Sequence, residues 1–334
     1  MWHRLFGFLI LLGSLFAGWV WQDYRGFLDT PLHLPSQGLI YAVKPGRNAR
    51  QIAADLNAKQ VLDAPLYLRL YARQSGLAPK IRAGEYRIEQ GMTPRDLLAL
   101  LVSGRTVQYP LTLLEGWTFA QVRQAIAGQA VLIQTLAGKD DAAVMAALGL
   151  PDQHPEGRFF PDTYHFPRGT TDLEFLRRAY ARMQQVLEGA WQGRAKDLPL
   201  TTPDQALVLA SIVEKETGAP EERSEIAGVF VRRLQRGMRL QTDPTVIYGL
   251  GASFDGNLRR RDLLHDTPYN TYTRAGLPPT PICMPGKASI LAALHPAQGK
   301  ALYFVSRGDG THQFSATIKQ HNAAVRRYQL HQHP

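Results

Sequence analysis

Thr201–Pro220 reads TTPDQALVLASIVEKETGAP. Thr202-Pro203-Asp204-Gln205 has the form of a capping box, with proline at the first helical position, where its missing N–H costs nothing. The spacing predicts a helix from Ala206 to about Thr217. Gly218 can stop it in a left-handed conformation, and Pro220 prevents its resumption. The residues Ala206–Val213 are apolar nearly all round, the pattern of a buried helix.

Two glutamates lie near its end, and a helical wheel separates them. Glu216 follows Leu209, Ile212 and Val213 by seven, four and three residues, so it shares a strongly apolar face. Glu214 follows Leu207, Ala210 and Ser211 at the same spacings and lies roughly opposite. A carboxyl on the core-facing stripe, at the end of a buried helix, looks out at whatever cleft the helix borders. Desolvation there raises its pKa. The negative end of the helix dipole pushes the same way. A general acid for glycoside cleavage needs such a proton, held near neutral pH and readily given away. The residues alone leave a second reading open, an ordinary structural bridge from Glu216 to a nearby arginine.

The chain around this helix has 334 residues, enough for two folded units. Its 45% hydrophobic and 20% charged content excludes a disordered chain. The formal net charge of +10 favours polyanionic partners, whether nucleic acid, anionic lipid or a carboxylate-bearing polymer. Charge does not choose among these, and many basic residues form a solvated surface. The basic runs lack interleaved aromatics, so no nucleic-acid partner is expected. The single cysteine, Cys283, excludes an intrachain disulfide. No His/Cys cluster has metal-ligand spacing, and neither metal nor other cofactor is expected.

Leu5–Trp21, LFGFLILLGSLFAGWVW, carries no formal charge and sits at the short end of the ~17–25 residues that span a bilayer. Trp19 and Trp21 suit the headgroup region, and Arg4 before the run predicts the N-terminus inside and the bulk of the chain outside. An uncleaved single-pass anchor is preferred over a cleaved signal peptide, because Leu15-Phe16-Ala17 is a poor cleavage site.

Beyond a polar link, a pattern recurs three times: YAVKPGRNARQIAADL from Tyr41, YRIEQGMTPRDLLALL from Tyr86 and LTLLEGWTFAQVRQAI from Leu111. Each reads as a short strand, a glycine turn, a capping residue and an amphipathic helix. The caps are Asn48, Thr93 and Thr118. The first unit, with the later strand Gly84–Ile88, resembles a LysM domain, a module that binds N-acetylglucosamine-containing glycans. A small packing unit without a ligand fits the same residues.

The remainder is mixed. EGRFFPDTYHF (Glu156–Phe166) reads as a shaped loop, Asp172–Trp191 as a helix, and Gln192–Pro199 as a linker. A helix over Glu221–Arg236 begins with acids and ends with Arg232, Arg233 and Arg236, which complements its dipole. Tyr303–Val305, the Gly308-Asp309-Gly310 turn and His312–Phe314 read as a hairpin, with His312 more structural than catalytic. The expected class is α+β, divided into a cytoplasmic N-terminus 1–4, a transmembrane anchor 5–21, a linker 22–37, a LysM-like module 38–108 and a mixed α+β catalytic domain 109–334.

Ordered blocks carry a wider resemblance: ASIVEKET (Ala210–Thr217), RLQRGMRLQTDPTVIYG (Arg233–Gly249), PYNTY (Pro268–Tyr272), GLPPTPI (Gly276–Ile282), LYFV (Leu302–Val305), and His312, Phe314, His321 and Asn322. They are similar to the endolytic murein transglycosylases, the MltG or YceG-like family, over most of the chain. The Glu216-Thr217 pair also resembles the Glu-Ser pair of lysozyme-like lytic transglycosylases. The resemblance implies a lyase that cleaves the MurNAc-β-1,4-GlcNAc bond of peptidoglycan without water. The muramic C6 hydroxyl attacks C1 and leaves a 1,6-anhydro end. It implies Glu216, the second glutamate of E-K-E, as general acid and then base.

Gln241, Asp243, Tyr269, Asn270 and Tyr272 are the expected substrate-binding residues, with Asp243 as an alternative helix N-cap and Glu214 in a supporting role. The implied partners are peptidoglycan glycan strands, the membrane and wall-synthesis proteins. The implied location is the bacterial inner membrane, with the catalytic portion in the periplasm. A muramidase that uses water is the nearest alternative, and a non-catalytic membrane-anchored peptidoglycan-binding scaffold is the alternative from another class.

Overall fold

A computed structural model describes residues 2–216 and 218–330. Thr217, on which the Glu-Thr pair partly rests, lies outside them. The chain divides into two units, one reaching to Tyr109 and taking in His165–Arg168, the other holding Pro110–Tyr164 and the residues from Gly169 onward. The architecture is α+β. Its strands are short, and helices dominate both units.

The first unit begins with α1 (Trp2–Asp29), followed by β1 (Leu39–Val43), α2 (Ala49–Ala58), α3 (Pro65–Gln74), β2 (Gly84–Ile88) and α4 (Pro94–Ser103). The N-terminal part of α1 is exposed and apolar. Among the described residues it is the one helix long and apolar enough to cross a membrane, over Arg4–Asp29. The helix outlasts the apolar run. Residues 22–29, expected as linker, continue α1 because Tyr24 and Leu28 find apolar cover and are buried. The Tyr24 hydroxyl donates to Gln74, Tyr67 to Asp23, and Arg95 to Asp29 at 3.0, 2.8 and 2.8 Å. β1 and β2 pair antiparallel, with Leu39 opposite Ile88 and Val43 opposite Gly84. Their alternation sends Tyr41, Val43, Tyr86 and Ile88 into a core shared with Ile52, Leu56, Leu68, Leu97 and Leu101.

Asn48 and Thr93 cap α2 and α4 with reciprocal capping boxes, and Thr118 does the same for α5 (Phe119–Ala127) in the second unit. The chain's remaining helices are α6 (Asp141–Leu148), α7 (Asp172–Gln192), α8 (Pro203–Glu216), α9 (Arg223–Gln235), α10 (Asp243–Leu250), α11 (Arg260–Leu264), α12 (Lys287–Leu294) and α13 (Ile318–Tyr328). Strands β3 (Tyr109–Thr112) and β4 (Thr163–Phe166) precede β5 (Tyr303–Ser306) and β6 (His312–Ser315). β5 and β6 form the expected antiparallel hairpin.

The helix quoted first stands at the centre of the second unit. α8 packs against α7, α9, α10 and α12, and every residue from Ala206 to Val213 is buried. Its N-terminus varies the capping box. Thr202 accepts from the Gln205 N–H at 3.2 Å, whereas the Gln205 side chain reaches back to the Thr201 N–H at 2.7 Å. α9 approaches closely enough that a Cβ on Gly228 would stand 2.5 Å from the Ala297 carbonyl, so only glycine fits there. Ser211 is the polar exception in the buried run. Its hydroxyl donates to the Val208 carbonyl at 2.7 Å and accepts the Ile282 N–H at 3.0 Å.

Ser211→Ala strands the buried Ile282 N–H with almost no change in volume. It is expected to cost about 1–3 kcal/mol, read as a lower urea midpoint for the detergent-solubilised chain. An unchanged midpoint would show the Ser211 bond to be dispensable.

Candidate active site

α8 ends at Glu216, and the wheel position carries its carboxyl to the edge of the core. The chain meets it again through the loop before α10. Gln241 adopts a left-handed φ of 52°, a conformation that costs a non-glycine residue on the order of 1–3 kcal/mol. Its N–H donates to the Thr271 carbonyl at 3.1 Å, and the Thr242 N–H donates to the Thr271 hydroxyl at 3.1 Å. This turn directs the Thr242 hydroxyl onto the Glu216 carboxyl, to which it donates a short hydrogen bond.

Glu216 sits in a cleft of about 540 Å³, whose lining includes Gln241, Thr242, Asp243, Tyr272, Tyr303 and His312. Burial pushes its carboxyl up to about 7 from the ordinary 4.5. The Thr242 hydrogen bond opposes that rise, Asp243 adds to it, and His312 opposes it. Desolvation wins, because one neutral donor does not replace the hydration of a carboxylate.

The other expected residues divide. Asp243 is the first residue of α10, with Thr242 in the N-cap position, so it is not the cap. Its carboxylate instead accepts from the Tyr272 hydroxyl at 2.5 Å. Gln241, Asp243 and Tyr272 are thus brought together with Glu216. Tyr269 and Asn270 stand elsewhere. The Tyr269 hydroxyl pairs with Thr280 at 2.8 Å, and its ring meets Tyr248 edge-on at 4.9 Å. Asn270 is fully buried. Its amide donates to the Leu263 and His265 carbonyls at 3.1 and 2.6 Å, and its side-chain oxygen accepts the Tyr272 N–H at 2.9 Å. Asn270 therefore shapes the loop that presents Tyr272. Glu214 accepts the Gly286 N–H at 2.9 Å and lies 3.9 Å from Arg223, an anchor for the segment before α12.

Several contributors escaped the sequence reading. At the end of α9, Arg233 does more than complement the helix dipole. It is buried, donates to the Leu302 carbonyl at 2.7 Å and the Leu240 carbonyl at 2.8 Å, and lies 5.0 Å from the Tyr303 ring centroid. Arg232 likewise donates to the Ala301 and Ala297 carbonyls at 2.7 and 2.9 Å. These arginines are internal struts, not a free basic surface. Glu222 receives both the backbone N–H and the imidazole Nδ1 of His312, at 2.8 and 2.6 Å. On the far side of α10, Glu156 is buried and pushed up to about 7 by desolvation. It accepts from the Phe119 N–H at 2.9 Å and the Tyr248 hydroxyl at 3.0 Å. It lines a separate cavity, of about 900 Å³, with Tyr248 and Tyr269. No sequence period marks any of these, because most of the pairings span tens of residues.

The linkage between charge and stability has a definite sign. A carboxyl whose folded pKa exceeds its ordinary value stabilises fully below about 4.5, and that contribution is lost as pH rises through about 7. Glu216→Gln removes this loss. The variant's stability relative to the native chain is expected to increase between those values by at most about 3 kcal/mol, then level off, as read by urea unfolding at fixed pH. Glu156 is present in both chains and cancels. A pH-independent difference would contradict burial as the cause.

Comparisons with known proteins agree in direction. The model of the YceG-like family matches residues 41–327. An endolytic murein transglycosylase of Bacillus subtilis (strain 168) is 33% identical over 303 residues, which cover 86% of this chain and 83% of the relative. One from Streptococcus pneumoniae serotype 2 (strain D39) is 28% identical over 90% of this chain but 60% of its own length. A crystal structure of a YceG-like protein from Listeria monocytogenes superposes with a TM-score of 0.54 at 28% identity, covering 86% of this chain and 99% of that one.

Proposed function

Because the chain belongs to the YceG-like family, we propose that it is an endolytic peptidoglycan transglycosylase with Glu216 as its single catalytic carboxylic acid. The observation that carries this reading is a carboxyl held near neutral pKa by burial, at the wall of an open cleft. Glu216 protonates the oxygen leaving muramic C1, and the muramic C6 hydroxyl closes on C1 to give a 1,6-anhydro end. The resulting carboxylate then takes the proton from that hydroxyl. An inverting or retaining hydrolase needs a second carboxylate beside the first, as base or nucleophile. Here the nucleophile is carried by the sugar, with the advantage of an intramolecular attack. Glu156 does not supply a second group, since it lines a different cavity. Asp243 is held by the Tyr272 hydroxyl. With Gln241, these two form a polar wall suited to sugar hydroxyls, while Asn270 and Tyr269 support the loop behind Tyr272.

The exposed apolar part of α1 supports a membrane anchor, or alternatively a signal sequence. Arg4 ahead of it favours placing the cleft on the outer face of the cytoplasmic membrane, where the wall is built. In the first unit, the β1–α2–α3–β2 order with antiparallel strands supports the LysM-like reading and, with it, glycan binding.

Glu216→Gln keeps the shape of the side chain and removes its proton. Cleavage of purified peptidoglycan by the full-length chain is expected to fall by about 10²–10⁴-fold. Native products should carry ends lighter by one water than reducing ends. Undiminished cleavage by the variant, or reducing ends alone from the native chain, would overturn the proposal. Binding to sacculi with no released product would favour the scaffold.

The pH profile gives a further check. The acid must be protonated, so kcat/KM should fall as pH rises through about 7. Thr242→Val removes a donor that favours the carboxylate, so the falling limb should move to higher pH. A limb that stays put or moves down would contradict the role given to Thr242.

A further inference from the structure

His312 opens β6 and lines the same cleft as Glu216. Two hydrogen bonds to one carboxylate clamp it. Glu222 Oε1 accepts its backbone N–H, and Oε2 pairs with imidazole Nδ1. Both side chains are largely buried, at 13% and 12% exposure. The Phe304 ring stands edge-on to the imidazole at 5.4 Å and the Phe314 ring lies tilted against it at 6.4 Å, so the ring is flanked as well as held at Nδ1. A carboxylate accepts but does not donate, so the Glu222 bond assigns the proton to Nδ1. In the neutral form of the ring, Nε2 is then the acceptor. It makes no hydrogen bond among the described residues.

Several other polar groups around the cleft are already committed. Thr242 donates to Glu216, Tyr272 donates to Asp243, and the Arg233 guanidinium is spent on the Leu240 and Leu302 carbonyls. The Gln241 side-chain oxygen faces Arg233 at 3.3 Å. A closure on C1 by a substrate hydroxyl makes two demands at once. The acid must keep its proton for the leaving oxygen, and its carboxyl already accepts from Thr242, so it is a poorer acceptor for the attacking hydroxyl than a second group would be. A separate acceptor aims that hydroxyl's lone pair at C1.

We propose that His312, oriented by Glu222, is the acceptor that positions the attacking muramic C6 hydroxyl in the Glu216 cleft. The proposal rests on the transglycosylase reading above. The C1–O4 bond breaks as O4 takes the Glu216 proton, and the O6–C1 bond forms. The O6 proton then passes to the Glu216 carboxylate, which restores the acid. His312 gains and loses no proton in these steps and touches the reacting hydroxyl, while Glu222 acts only through His312 as a positioning residue.

The experiment compares full-length native chain, His312→Leu, His312→Gln and Glu222→Gln on purified peptidoglycan. It measures kcat, KM and the ratio of anhydro to reducing ends by mass. His312→Leu is expected to lower kcat about 10²-fold with little change in KM, and to raise the share of reducing ends as water competes for C1. His312→Gln, whose amide oxygen can stand in for Nε2, should recover part of the rate and most of the anhydro product. Glu222→Gln frees the tautomer and should show a smaller loss with the same change in products. If His312→Leu fails to fold, as read from its thermal transition, the two glutamine variants carry the test. Folded variants with native kcat and anhydro ends alone would overturn the role of His312. A native chain that makes no anhydro ends would instead overturn the transglycosylase reading beneath it.

Discussion

The hydrogen bond from Thr242 to Glu216 joins two parts of the chain at the point where the cleft opens. One is the end of α8, held by apolar packing on all sides. The other is the start of α10, held by a left-handed Gln241 and by two bonds to Thr271. Opposing tendencies meet at the carboxyl. Burial favours the neutral acid, and the hydroxyl favours the charged one. The rise from 4.5 to about 7 corresponds to on the order of 3 kcal/mol. That is a sizeable share of the stability of a typical domain, which explains why so much of the second unit is devoted to holding α8 still.

Buried polar struts do the rest of the holding. Arg233 ties the end of α9 to β5 and to the loop before α10 through carbonyl oxygens, with no carboxylate partner among the described residues. Such a cation is costly to bury and is kept only where several acceptors converge. Glu156 and Tyr248 play the corresponding part behind α10. One strut meets the loop before α10, and the other meets Tyr248 within α10. The cleft wall is therefore braced from within.

Much of the fold was legible because local rules governed it. Asn48, Thr93 and Thr118 cap their helices as their side chains dictate, and the Gly308-Asp309-Gly310 turn closes a real hairpin. Glu216 could be separated from Glu214 because helical spacing alone decides which carboxyl follows Leu209, Ile212 and Val213. Residues 22–29 look like linker in the sequence, because their polar surface hides two buried residues of α1, Tyr24 and Leu28, and the Tyr24 partner lies tens of residues away. Thr242 was invisible for a similar reason: its neighbours Gln241 and Asp243 are the more conspicuous polar residues, and only the left-handed turn shows which side chain reaches the acid. Tyr269, Asn270 and Tyr272 look equivalent in a proline-flanked loop, yet the loop's internal hydrogen bonds send them to three different places.

The chemistry requires Glu216 to stay neutral where an ordinary glutamate is charged. A titration of the Glu216 side-chain carboxyl in the full-length chain, followed by its ¹³C chemical shift with Glu216→Gln to assign the signal, tests this directly. The midpoint is expected at about 7. A midpoint at the ordinary 4.5 would mean that burial does not hold the proton, and would remove the physical basis for Glu216 as the acid.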